Sequence, residues 1–67
     1  MLDVDIIGET AGKVWEYLNK HGESSRAELK RGLNFSDLQV GTALGWLARE
    51  EKLDFVAVKN TFRVSLV

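Results

Sequence analysis

The apolar residues of this chain change period once, just past Lys52, and that change constrains the architecture more than any other feature. Before it they recur every three or four residues, as on helices; after it they alternate, as on strands. Leu53, Phe55 and Ala57 alternate with Asp54, Val56 and Val58, and Phe62, Val64 and Leu66 alternate with Arg63 and Ser65. With a two-residue turn at Lys59-Asn60, Ala57 faces Phe62, Phe55 faces Val64 and Leu53 faces Leu66, so one face of the hairpin is wholly apolar. The other face pairs Val58 with Thr61, Val56 with Arg63 and Asp54 with Ser65. Asparagine tolerates the positive φ of such a turn, although the lack of glycine leaves a longer loop open.

Upstream, Ile7, Ala11, Val14 and Leu18 form one stripe of a helix over Asp5 to His21, flanked by Trp15 and Tyr17, while Glu9, Lys13, Glu16 and Lys20 fall on the other side. Gly22 is placed to end it in the left-handed conformation. Two capping boxes follow, eleven residues apart: Ser25 stands three residues before Glu28, and Ser36 three before Gln39. The first opens a short helix ending near Gly32, with Ala27, Leu29 and Leu33 as its buried contacts. The second opens a helix from Asp37 to Glu51, with Val40, Ala43, Leu44 and Leu47 on one stripe and Asp37 at its positive end.

Three helices and a hairpin with a tight turn between helices two and three give an α+β fold of winged helix-turn-helix plan, and Glu23 to Ser25 can add a short third strand. The apolar face of the hairpin needs a partner, so the hairpin is expected to close over the helices. No composition shift or repeat divides residues 1–67, which read as a single domain. The absence of cysteine removes disulfides and thiolate chemistry, and suits a reducing cytoplasm. No apolar run is long enough to span a membrane and the first residues are acidic, so the chain reads as soluble and unprocessed.

The run Ala43-Leu44-Gly45-Trp46-Leu47-Ala48-Arg49-Glu50, with Ile7-Gly8 through Ala11-Gly12-Lys13-Val14-Trp15 upstream, resembles the small stand-alone winged helix-turn-helix proteins of bacteria and archaea, a group without an established function. The resemblance runs from Ile7 to Leu66. It implies the winged-helix fold, raises nucleic-acid binding by analogy, and brings no catalytic residues.

Burying the third helix's stripe turns Leu38, Gly41, Thr42, Gly45 and Arg49 outward, with Trp46 at the border. This is the recognition face of the fold. Gln39, Thr42 and Arg49 are its candidate contacts to double-stranded DNA, and Arg26, Lys30, Arg31, Lys59 and Arg63 supply a candidate phosphate-facing surface. The balance is nonetheless acidic, nine cations against ten acids, where DNA binders usually carry a basic excess. Gly41 and Gly45 each cost about 1 kcal/mol inside a helix, which suggests a close approach by another segment. Together with Leu38 and Trp46 they form a candidate interface for a homodimer or a protein partner. Trp15 reads as core.

Catalysis has no support. His21 stands alone near a helix end without metal-binding company, Ser24 and Ser25 read as linker and cap, and Asp3 with Asp5 or Glu50 with Glu51 define no pocket. Gly8 and Gly12 lie inside a helix, where a phosphate cradle is not formed. No metal, cofactor or membrane partner is expected.

Overall fold

A computed structural model describes residues 3–67. The elements run α1 (Val4–His21), β1 (Ser24–Ser25), α2 (Arg26–Leu33), α3 (Asp37–Arg49), β2 (Leu53–Val58) and β3 (Thr61–Leu66). The fold is α+β, three helices against a three-stranded antiparallel sheet of order β1-β3-β2. No helix among the described residues is long and apolar enough to cross a membrane.

Each helix starts where a side chain can satisfy its orphan N–H groups. The Asp3 carboxylate accepts from Ile6 N, so α1 begins one residue earlier than its apolar stripe indicates. Both capping boxes form: Glu28 N donates to Ser25 Oγ and Ser25 N to Glu28 Oε1, while Gln39 N donates to Ser36 Oγ and Ser36 N to Gln39 Oε1. Gly22, at φ 80°, ends α1 as expected.

The other two helix ends use left-handed residues that are not glycine. Asn34 (φ 56°) closes α2, with Phe35 N reaching back to Lys30 O. Glu51 (φ 58°) closes α3, where Lys52 N donates to Leu47 O and Glu51 N to Ala48 O. The helix expected to reach Glu51 therefore stops at Arg49, because Glu51 carries the turn itself.

The core joins Ala11, Val14 and Leu18 of α1, Leu29 of α2, Val40, Ala43, Leu44 and Leu47 of α3, and Leu53 and Val64 of the sheet. Full burial of a side chain such as Val14 or Leu29 is worth about 1.5–3 kcal/mol. Thr10 is also buried, its hydroxyl donating to Ile6 O. Gly32 lets α2 approach α1: a Cβ there would overlap the Tyr17 ring, which stacks on His21 at 4.3 Å between centroids.

The hairpin register is the one the alternation predicts, from Leu53 opposite Leu66 to Val58 opposite Thr61. The turn's positive φ falls on Lys59 (46°) and not on Asn60. The short third strand forms as Ser24–Ser25, opposite Val64 and Arg63, without Glu23.

Three expectations about burial are corrected. The apolar face of the hairpin closes over the helices mainly through Leu53 and β3, where Val64 is buried and Phe62 and Leu66 pack half-buried on the core; Ala57 and half of Phe55 lie open to water. Phe55 instead leans on Phe62, with centroids 5.5 Å apart, because the strands reach past the helical layer. Ala27 is exposed, since α2 is too short to bury more than Leu29 fully. Trp15 is not core; it stands exposed at the rim of a surface cleft between α1 and the end of α3, lined also by Trp46, Leu47 and Glu50.

Candidate nucleic-acid interface

The α3 stripe buries as expected, so the outer face of the helix points away from α1. Leu38 is 64% exposed, and Arg49 is exposed at the far end. A Cβ on Gly41 or Gly45 would meet nothing within 4 Å, so no described segment of this chain makes the close approach that these glycines permit. Trp46 turns to the other side and packs on the core, 3.6 Å from where a Cβ on Gly8 would stand. It is thus a monomer contact between α3 and α1.

Two candidate base contacts are engaged within their own helix. The Thr42 hydroxyl donates to Leu38 O at 2.8 Å, with Gln39 O at 3.2 Å. The Gln39 carbonyl oxygen accepts from Ser36 N in the capping box. Capping is the commoner use of a glutamine three residues after a serine.

The candidate phosphate-facing cations divide into paired and unpaired. Lys30 Nζ lies 3.0 Å from Asp37 Oδ1 and Arg26 Nε 3.8 Å from the same oxygen, at a cleft of about 350 Å³ that also involves Ser25, Ala27 and Thr61. The hydrogen bond from Lys30, with the charges of Lys30 and Arg26, holds the Asp37 carboxyl below its usual range. Arg63 bridges two acids, with Nε 2.9 Å from Glu23 Oε2 and Nη2 3.0 Å from Glu28 Oε1. Glu28 is likewise held low, first by the Ser25 backbone N–H, then by the Ser25 hydroxyl and Arg63. Among the described residues Arg31, Arg49 and Lys59 form no ion pair.

Sequence reasoning named these cations but not the acids that engage them. The clue to Arg63 lay in the short third strand: pairing Ser25 with Arg63 brings Glu23 and Glu28 to either side of the guanidinium. Asp37 was legible as a favourable first-turn charge, but not as the neighbour of Lys30 across the turn. Among the described residues no group of three or more His, Asp or Glu side chains is arranged to hold a metal ion.

A helix-turn-helix whose third helix is followed by a β-hairpin, with a short strand closing the sheet, defines a winged helix-turn-helix protein. The model of the family described as "Winged helix-turn-helix domain (DUF2582)" matches residues 1–66, and the chain belongs to that family. It is similar to the uncharacterized protein MJ1608 of Methanocaldococcus jannaschii, 42% identical in an alignment of 50 residues, with 70% of each chain covered. It is also similar to the solution NMR structure of protein BT2368 from Bacteroides thetaiotaomicron, with a TM-score of 0.88 and 37% identity over 97% of this chain and 79% of that one.

Proposed function

We propose that the protein binds double-stranded DNA as a transcription-regulator type of winged helix-turn-helix module, gripping phosphates more than it reads bases. The observation that carries this reading is the partition of charge. Arg26, Lys30, Arg31, Arg49, Lys59 and Arg63 belong to α2, the outer side of α3 or the wing, and share that region with four acids, Glu23, Glu28, Asp37 and Asp54. The remainder of the chain sets six acids against three lysines. A chain that is acidic in sum therefore carries a small basic excess on α2, the outer side of α3 and the wing, the elements that meet a duplex in this fold.

Base readout has little to work with. Asp37 and exposed Leu38 occupy the start of α3, two glycines follow, and Thr42 is bonded to its own helix. Phosphate contacts position a protein but carry no sequence information directly, so binding is expected to be weak, salt-sensitive and tolerant of sequence.

A second reading, contact with a protein partner or a second copy through the same α3 face, draws on Leu38 and on the open surface over Gly41 and Gly45. An amide spectrum recorded during titration with a random duplex, and separately on dilution, discriminates. Shifts at Thr42, Arg49 and Lys59 with DNA support the first reading; shifts of the α3 face on dilution alone support the second and count against the first.

A further inference from the structure

The wing has an open edge. In the sheet order β1-β3-β2, strand β2 has a hydrogen-bonded neighbour on one side only among the described residues. Bonded and non-bonded pairs alternate along an antiparallel ladder. Val67 N donates to Lys52 O, which places Lys52, and with it Asp54, Val56 and Val58, in the bonded set facing β3. The backbone N–H and C=O groups of Phe55 and Ala57 consequently point outward, away from the molecule.

An unpaired row of this kind is normally blunted by lysine, proline, a bulge or a very short strand. The opposite edge uses the last device, because β1 is two residues long. Strand β2 uses none of them across six residues, five of them apolar, with Asp54 its single charge. Phe55, Val56 and Val58 are 50%, 42% and 40% exposed, so both faces of the edge are apolar and open.

We infer that β2 is the homodimerisation edge of this protein, pairing antiparallel with β2 of a second copy to make one continuous six-stranded sheet. The directional backbone groups require a strand as occupant, and the side chains favour the same strand. Only Leu53, Phe55 and Ala57 have outward backbone groups, so Phe55 must oppose an odd-numbered residue of the partner strand. With Val56 of one copy opposite Val56 of the other at the twofold axis, Phe55 falls opposite Ala57, a large side chain against a small one, on each side of the axis. Asp54 then lies opposite Val58, which keeps the two Asp54 carboxylates roughly 13 Å apart along the strands at about 3.3 Å per residue. The register that pairs Phe55 with itself instead crowds two rings and leaves Ala57 opposite Leu53. This inference rests on the backbone and apolar side chains of β2 and not on the cations of the DNA reading, although two of those, Lys59 and Arg63, belong to the same hairpin.

Hydrogen exchange tests it together with the solution mass, measured from about 10 µM to about 1 mM because a single strand pair is a small interface. The mass is expected to rise toward twice the monomer value, while the amides of Phe55 and Ala57 slow at least tenfold; those of Asp54 and Val56, bonded to β3, stay protected throughout. Ala57→Pro removes an outward N–H without touching the β3 ladder, and Val56→Lys sets two like charges at the axis. Both are expected to stay monomeric, and Val56→Lys to keep the wild-type hairpin shifts. A wild-type mass that stays monomeric to about 1 mM overturns the inference, as does a dimer in which the Phe55 and Ala57 amides still exchange fast.

Discussion

The Lys30 ammonium lies 3.0 Å from the Asp37 carboxylate, across the turn that joins α2 to α3, and Arg26 reaches the same oxygen from 3.8 Å. A carboxylate held between two cations at the start of α3 occupies a place suited to a phosphate, and on the proposed DNA reading a duplex has to displace it. Asp37→Asn is expected to tighten binding to a random duplex, and to steepen the dependence of log K on log salt by about one to two units as Arg26 and Lys30 become available. Anisotropy titrations of the variant and the wild type at several salt concentrations check this.

Gly41 and Gly45 face open space, so alanine can be placed at either position without a collision. Each substitution is expected to stabilise the isolated protein by up to about 1 kcal/mol, through helix propensity and a less flexible unfolded chain. Urea midpoints check the stability. If the glycines serve close approach by a duplex or a partner, the same variants lose binding while gaining stability.

Glu51 ends α3 in a left-handed conformation that costs a side-chain-bearing residue about 1 kcal/mol or more. Glu51→Gly is expected to raise stability by about that amount and leave the Lys52-to-Leu47 hydrogen bond in place. Thermal unfolding of the variant provides the comparison.

Glu28 and Asp37 are both held below their ordinary values of 4.5 and 3.8. A depressed carboxyl contributes stability that is fully present above its unfolded value and disappears as pH falls through its folded one. Stability is therefore expected to be flat near neutrality and to decline below about pH 4.5, with the Glu28 share beginning to fall at a higher pH than that of Asp37. Glu28→Gln is expected to shallow the upper part of that decline, which unfolding midpoints measured between about pH 2 and pH 7 would show.

Much of the fold was legible because it rests on short-range chemistry. A serine three residues before a glutamate or glutamine can cap a helix with no help from distant residues, as both boxes here do, and the pairing of Leu53 with Leu66 follows once the turn is placed at Lys59-Asn60. The corrected features depend on distances that periodicity does not carry. Alternation puts Phe55 and Ala57 on the apolar face, but it does not say that the strands outreach the helices beneath them. Trp15 belongs to the flank of a stripe, and periodicity does not say whether another element covers that flank.

The candidate site was legible as an inventory more than as an arrangement. All six cations of α2, α3 and the wing are evident from the sequence, yet Arg63 meets Glu23 forty positions away, through a strand of two residues. Gln39 and Thr42 have the chemistry of base readers and of helix caps alike; here Gln39 Oε1 accepts from Ser36 N and the Thr42 hydroxyl donates to Leu38 O. Residue type alone could not divide those uses.

The proposal that this protein grips phosphates through the cations of α2, α3 and the wing is tested most directly by the anisotropy of a labelled random duplex, titrated with wild-type protein and with Arg49→Glu across a range of salt concentrations. Engagement of the three unpaired cations predicts a slope of log K against log salt of about −3 for the wild type, and a marked loss of affinity in the variant. A flat titration for both proteins at low salt contradicts it.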